Sequence, residues 1–542
     1  MNTNRGFVIG LRCLSGFARG LLLCASAFLS ALPFVVKSLD VSAVSALAGI
    51  FGWCGMSYLF VTLFDSEKTL KGVLYSLFCF FFAFYFFVYS WFISLYPLDF
   101  AGLGKGESIG VIIIALVFIP LLHSAVMTLC VFVSYLSARC VKSEFLKSVL
   151  VSAGYVLGEY MQSVGTFAFP WARLFVGQTG NVYVLQSASL FGSYFITFIM
   201  VLVNALVAFA LVNVGKNNKK SAALVAVAVV IFSLNMLFGF VRVNTFAKAE
   251  HKTVSAVILQ GNIPSGQKWS PDADERRVYL DLAKKAASYD ADIAVMPETA
   301  FPVTLKTEDD YVSAYEAALM EISYVTDAQL FAGAFFEKDD KSYNSVFVFS
   351  PDGEVSPPYN KHSIVPFGEF LPYRNIIEKL VPSLSKINML STDIERGESF
   401  SPVETQVGRA ACLVCFDSIF PENARKQIKG GGEFIVVATN DSWYKTSSAL
   451  YQHADHAIMR AVENGVPVFR CANTGISRII DPFGRIKAQT KANERCVLYG
   501  EAEIYEIKTL YTKLGDIIIP LCAVLIAAFL IMGIVKNKAS RT

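Results

Sequence analysis

Ala410-Ala411-Cys412-Leu413-Val414-Cys415-Phe416-Asp417-Ser418 reads as an apolar strand that delivers a thiol to its end and then turns polar. Two other segments stand out beside it. Ile293–Met296 is a short apolar strand running into Pro297-Glu298-Thr299-Ala300, which leaves a carboxylate at its end. Tyr359-Asn360-Lys361-His362 leads into Val365-Pro366-Phe367-Gly368-Glu369, a lysine and a second carboxylate in a loop shaped by Pro and Gly. Around these lie further β-branched runs, Val254–Gln260, Ser345–Phe349, Phe434–Ala438 and Pro467–Cys471, with helical stretches at Asp274–Ser288 and Gln452–Asn464. Turn signals such as Pro351-Asp352-Gly353 and Asp481-Pro482-Phe483-Gly484 separate them. The alternation predicts one α/β domain with a covered sheet over residues 242–513. No internal repeat or low-complexity linker interrupts it.

Outside that domain the chain changes character. Over all 542 residues it is 54% hydrophobic and only 17% charged, against about a quarter charged in a soluble domain. An ordinary cytosolic enzyme is excluded, and 47 basic against 44 acidic residues give no excess of positive charge for nucleic acid. Apolar runs long enough to cross a bilayer occur at Gly20–Val36, Val41–Phe64, Val73–Tyr96, Ile109–Leu136, Val149–Phe167, Val182–Val214, Ala222–Val241 and, after the α/β domain, Ile517–Val535. The expected layout is a bundle of seven helices over 1–241, the α/β domain, and a C-terminal helix with its tail over 514–542. The first run follows Arg12 and Arg19 and has a signal peptide's length; six more spans make a retained helix the simpler reading.

Orientation follows from Lys and Arg in the loops. With the N-terminus inside, the inner segments carry Arg5, Arg12, Arg19, Lys68, Lys71, Arg139, Lys142, Lys147, Lys216, Lys219, Lys220, Lys536, Lys538 and Arg541, whereas the outer loops carry only Lys37, Lys105 and Arg173. Seven crossings then put the α/β domain outside and the eighth returns the tail. The fifth span holds Glu159, an expensive residue in a membrane. Pairing with Arg173 and a substrate role both remain open for it.

A carboxylate, a lysine and a thiol are the parts of acyl transfer through a thioester. A thiol with pKa of about 8.5 is mostly protonated at neutrality, so a neighbouring carboxylate must take its proton and later return it. A fixed ammonium can stabilise the oxyanion of the tetrahedral intermediate. By residue type alone that set is weak evidence, since Glu, Lys and Cys occur everywhere.

The wording of the segments is more specific. Pro-Glu-Thr-Ala after a strand, Lys361 ahead of Pro-Phe-Gly-Glu, and a strand-terminal Cys resemble the nitrilase (carbon–nitrogen hydrolase) superfamily, which uses a Glu–Lys–Cys triad in an αββα sandwich. Gln260-Gly261-Asn262-Ile263-Pro264 with Lys268-Trp269, Asn440-Asp441-Ser442-Trp443, Asn473-Thr474-Gly475-Ile476-Ser477, and Phe169-Pro170-Trp171 in the membrane half are similar to the apolipoprotein N-acyltransferase family. That likeness extends over essentially the whole chain. It implies Glu298 as general base, Lys361 as oxyanion stabiliser, Cys415 as nucleophile and Glu369 as a supporting carboxylate. It further implies substrate contacts from Trp269, Phe416, Asp417 and Trp443. The family usually has Tyr-Glu after the nucleophile; Phe416-Asp417 keeps the ring without its hydroxyl and the charge on a shorter arm. The implied reaction moves an acyl chain from a phospholipid, with phosphatidylethanolamine the expected donor, to the α-amino group of a diacylglyceryl-cysteine at an apolipoprotein N-terminus. No metal or diffusible cofactor is needed. The implied location is the bacterial inner membrane, with the catalytic domain facing the periplasm.

Other residues have plainer readings. Eleven cysteines without regular spacing do not make a disulfide framework. Cys412 and Cys415 form a C-x-x-C, but residues three apart on a strand point to opposite faces, so Cys412, Cys471 and Cys496 read as core thiols. His453 and His456 lack a third ligand at recognisable spacing for zinc and read as packing or surface histidines, and His362 as lining the mouth of the site. Two rival functions remain open. One is a membrane-tethered amidase hydrolysing a small amide, the other a scaffold on a degenerate nitrilase-type fold.

Overall fold

Two stretches of apolar alternation, one ending at Gln260 and one at Val414, become the centres of two β-sheets. In a computed structural model of the chain, residues 15–39, 41–65, 68–98, 102–246, 249–264, 266–268, 274–301, 304–306, 314–380, 393–506 and 508–539 are described. They divide into two units, 1–92 with 113–245 and 516–542, and 93–112 with 246–515.

The second unit is a helix–sheet–sheet–helix sandwich, as the resemblance implies. Its first sheet joins β1 (His251–Gln260), β2 (Ile293–Val295), β3 (Thr304–Lys306), β4 (Gln329–Lys338), β5 (Lys341–Phe349), β6 (Tyr359–Asn360) and β13 (Cys496–Tyr505) in the order β13-β1-β2-β4-β5-β6, with β3 beside β4. The second joins β7 (Val403–Thr405), β8 (Gly408–Val414), β9 (Phe434–Thr439), β10 (Val468–Ala472), β11 (Arg478–Ile480) and β12 (Ile486–Gln489) in the order β12-β11-β10-β9-β8-β7. The central strands are parallel: β1 with β2, β2 with β4, β8 with β9 and β9 with β10.

Strand alternation sorts the side chains. Val254, Ala256, Ile258 and Val295 of one sheet meet Ala410, Cys412, Val414, Val436 and Phe469 of the other in the inter-sheet core. The alternate residues Val257, Leu259 and Ala294 pack outward with Leu282 and Ile322, which lie on the helices Glu275–Ala286 and Ala314–Thr326. The helices Pro421–Lys429 and Ser448–Asn464 accompany the second sheet. All six strands expected from sequence form. Cys412 and Cys471 are core thiols, but Cys496 is half-buried, because it begins β13 at the sheet's edge.

In the first unit, seven of the described helices are long and apolar enough to cross a membrane, counting the C-terminal one: Gly16–Leu39, Ala43–Leu63, Leu70–Leu95, Lys105–Ala138, Ser193–Asn213, Asn218–Phe246 and Ile518–Lys536. Where the fifth span is expected, over Val149–Phe167, the structure has the helix Glu144–Met161, which is not among these seven because Glu144, Lys147 and Glu159 dilute its hydropathy. The expected sixth span begins late. Gly192, at φ +79, ends the short piece Ala188–Phe191, and the continuous helix starts at Ser193. The second span breaks near Gly55, and a side chain takes over freed backbone groups there, as a bilayer requires. Asn204 accepts from Met56 N and donates to Gly52 O, both at 2.9 Å.

Candidate active site

Strands running in one direction bring their C-terminal ends to one edge, and three candidate residues arrive that way. Glu298 follows β2, Lys361 follows β6, and Cys415 follows β8. Glu298 is held at both oxygens. Its Oε1 accepts from Lys361 Nζ at 3.3 Å and from Asn344 Nδ2 at 2.7 Å, while Oε2 accepts from Asn440 N at 2.9 Å. Lys361 is 1% exposed and donates to Glu369 Oε1 at 2.8 Å. Glu369 is fixed in turn, its Oε1 accepting from Asn344 Nδ2 at 3.0 Å and its Oε2 from Val365 N at 2.8 Å. Burial alone would lower Lys361, but Glu369 and Glu298 outweigh it and hold the ammonium above the ordinary lysine range.

Cys415 opens a 3-10 turn, Cys415–Ile419, with φ at +49, a conformation L-residues avoid except where their surroundings fix it. Ser418 Oγ donates to the Cys415 carbonyl at 2.7 Å. Burial pushes the thiol well up, Glu298 adds to that, and Lys361 pulls the other way. These influences favour the protonated thiol.

Close approach of backbones builds this edge. A Cβ on Gly333 of β4 would lie 2.6 Å from Glu298 Cα, so glycine lets the Glu298 turn settle against the neighbouring strand. A Cβ on Gly475 would reach within 2.2 Å of Asp441 Oδ2. Asp441 anchors a buried cluster beneath the cysteine turn. Its Oδ1 meets His453 Nδ1 at 2.7 Å and its Oδ2 accepts from Arg470 Nη2 at 2.7 Å, all three side chains being shut off from solvent. His453 Nε2 lies 3.2 Å from the Cys415 carbonyl. Cys415, Asp441 and His453 thus place three metal-ligand types within 4.8 Å. Both Asp441 oxygens are already engaged, one by a guanidinium, which makes this set a poor cation site.

Asp417, expected from the resemblance to contact substrate, is fully buried. Its Oδ1 accepts from Ser363 N at 2.6 Å and Asn423 Nδ2 at 3.1 Å, and its Oδ2 from Tyr359 Oη at 3.0 Å and Val414 N at 3.2 Å. The shorter arm thereby ties the lysine loop to the cysteine turn. Burial pushes its carboxyl up to about 6 despite Lys361 and these donors. Phe416 is buried, with its ring 5.3 Å from that of Phe420 in edge contact. Trp443 is half-buried, and Trp269 lies outside the described residues. His362, expected at the mouth, is half-buried with its ring 4.3 Å from that of Phe400. Sequence reading missed Asn344, Asp441 as an anchor, and Lys268. Lys268 is 3% exposed and donates to Glu298 O at 3.2 Å and Thr299 Oγ1 at 2.6 Å.

In the membrane unit, Glu159 and Arg173 are both buried. Glu159 accepts from Leu174 N at 2.9 Å and Thr197 Oγ1 at 2.7 Å, and Arg173 donates to Ser193 Oγ at 3.1 Å and to Tyr194 Oη.

The carbon-nitrogen hydrolase family pattern matches residues 256–510, and the apolipoprotein N-acyltransferase N-terminal domain pattern matches residues 26–206. An apolipoprotein N-acyltransferase of Geobacter metallireducens is 34% identical over 370 residues, 66% of this chain and 69% of that protein. Another, of Gloeobacter violaceus, is 28% identical over 506 residues, 91% of each chain. Among solved structures, a carbon-nitrogen hydrolase from Helicobacter pylori G27 is 18% identical with a TM-score of 0.35, over 46% of this chain and 89% of that one.

Proposed function

This chain belongs to the apolipoprotein N-acyltransferase family, and from that premise we propose a ping-pong mechanism in which Cys415 carries the acyl group as a thioester. The protein is a multi-pass membrane acyltransferase acting on lipoproteins. One observation carries the mechanism: buried Lys361 lies between buried Glu298 and half-buried Glu369, its Nζ 3.3 and 2.8 Å from the two carboxylates, and is coupled in charge to a thiol held at a strand end.

In the first half-reaction Glu298 takes the Cys415 proton as sulfur attacks the ester carbonyl of a phospholipid, for which phosphatidylethanolamine is the expected donor. A C–S bond forms, and the carbonyl oxygen becomes an oxyanion facing the Lys361 ammonium. As the C–O bond breaks, the proton on Glu298 passes to the leaving oxygen and lysophospholipid departs. In the second half-reaction the free α-amino group of a diacylglyceryl-cysteine attacks the thioester carbonyl. Glu298 takes the amine proton, the C–S bond breaks, and the proton returns to sulfur as the amide forms. Asn344 and Glu369 fix Glu298 and Lys361, so their positions need little adjustment as charge moves. Both substrates are lipid-anchored and meet the site by diffusion in the membrane plane. The loop charges support an orientation with residues 242–513 outside, the periplasmic side of a bacterial inner membrane.

Intact-mass measurement after incubation with phosphatidylethanolamine tests the scheme. The wild type is expected to gain one acyl chain in hydroxylamine-labile form, and Cys415→Ala none. Bound lipid with no adduct on the wild type would sink the thioester mechanism.

A further inference from the structure

The mechanism leaves one buried cation beside the proposed base unused. Lys268 precedes the helix Glu275–Ala286 and sends its side chain inward, where Nζ donates to the main-chain carbonyl of Glu298 at 3.2 Å and to Thr299 Oγ1 at 2.6 Å. These partners are the turn itself. Lys361, Asn344 and Asn440 hold the Glu298 carboxylate; Lys268 holds the backbone from which that carboxylate hangs.

The turn needs holding. Thr299 sits at φ +43, an unfavourable conformation for a β-branched residue that persists only when its surroundings over-determine it. Gly333 leaves room for the backbone, and Ala300 N donates to Gly333 O at 2.9 Å. The lysine supplies charge-assisted hydrogen bonds, stronger than those a neutral side chain could offer. Taking an ammonium out of water is expensive, so a surface loop gains nothing by burying one without a partner. Two carboxylates face it: Glu298 on the turn, and Glu275 at the start of the following helix. Burial lowers Lys268, the two glutamates raise it, and the balance is about 8, so the group is an ammonium at neutral and acid pH.

We propose that Lys268 is a positioning residue for acylation, clamping the Glu298–Thr299 turn and placing a second fixed positive charge beside the Glu298 carboxylate. This rests on the reading of Glu298 as general base. The hydrogen bonds of Lys268 go to the Glu298–Thr299 turn, so it acts through Glu298.

The test is the pH profile of single-turnover acyl-enzyme formation, followed by intact mass with phosphatidylethanolamine in detergent micelles, from pH 5 to 8. A nearby opposite charge shifts a carboxylate by about one unit or more. Lys268→Met is therefore expected to move the acid limb of the profile up by about one pH unit and to slow acylation by up to about tenfold at pH values on that limb, with little change on the plateau. Lys268→Gln keeps a donor without the charge and shows the same displacement, which serves if the methionine variant does not fold. Lys268→Arg keeps the charge and returns the limb to its wild-type position even if its rate is lower. A Lys268 variant with wild-type rate, or one slowed equally at every pH with the limb unmoved, overturns the proposal. Glu298→Gln separates the two levels of argument. If it acylates as fast as wild type, the base assignment fails; if it abolishes acylation while the Lys268 variants leave the limb in place, only the lysine proposal fails.

Discussion

The Asn344 carboxamide touches two carboxylates at once, 2.7 Å from Glu298 Oε1 and 3.0 Å from Glu369 Oε1. Two like charges brought to one ammonium repel each other, and a neutral donor shared between them reduces that repulsion while fixing their spacing. Removing a hydrogen bond to a buried charge costs about 1.5–3 kcal/mol, which is about ten- to a hundredfold in rate if the loss falls on the transition state. Asn344→Ala should therefore acylate about ten- to a hundredfold more slowly, and Asn344→Asp, which adds a third carboxylate, more slowly still. Single-turnover acylation measures both; Asn344→Asp outrunning Asn344→Ala would refute the charge-spacing argument. Asn344 was not legible in the sequence, whereas Glu298, Lys361 and Cys415 were. Glu298 and Cys415 stand at the ends of apolar strands, and Lys361 stands in a loop whose wording resembles the family's. Asn344 sits inside β5, and its role depends on β5 passing between the Glu298 turn and the Glu369 loop, a juxtaposition no local pattern encodes. Asp417 shows the converse. The resemblance implied a substrate contact, but the Asp417 oxygens accept from main-chain and side-chain donors that the fold brings round.

At the scale of elements, the buried Asp441–His453–Arg470 cluster joins the end of β9, the helix Ser448–Asn464 and β10 beneath the cysteine turn. Burial would raise Asp441, but Arg470 and His453 prevail and hold it at about 2. A carboxylate whose folded pKa is depressed adds stability that is complete above its unfolded pKa of about 3.9 and disappears as pH falls through the folded value. A difference near two units corresponds to about 2.5 kcal/mol at neutrality. Asp441→Asn leaves a guanidinium buried without its counter-charge, a change costing about 3–5 kcal/mol. The melting temperature of the variant should lie below wild type by a constant gap from pH 8 to about 4.5, and the gap should narrow toward pH 2.5. A gap that stays constant over the whole range would mean that the cluster stabilises by packing and not by charge. Helices and strands were largely legible because their apolar periods are long and clean. The cluster was not, because His453 reads as one more packing residue until β10 and the Asp441 loop close around it.

For the whole molecule, the unsettled crossing is Glu144–Met161. Hydropathy favours seven of the described helices, and this one is diluted by three charged residues. Its environment explains how it tolerates them. Ser148 and most residues from Leu150 to Glu159 are buried in the first unit. Glu159 is hydrogen-bonded to Leu174 N and Thr197 Oγ1, and Asn213 Nδ2 lies 3.2 Å from Glu144 Oε2. A helix buried by its neighbours need not be apolar all round, because protein and not lipid is its solvent. Loop charge argues the same way. If Glu144–Met161 failed to cross, Lys216, Lys219 and Lys220 would be on the side opposite Arg139 and Lys142, and the bias of basic residues toward one face would be lost. Alkaline phosphatase fused after Val141 should therefore be inactive in a bacterial host and fused after Gly180 active, with green fluorescent protein fluorescing at the second-to-last basic loop, after Gly215, and at the C-terminus. Phosphatase activity of the same sign on both sides of Glu144–Met161 would remove that crossing and invert every later segment up to the sandwich. The proposed mechanism would then need its lipid substrates from the opposite leaflet.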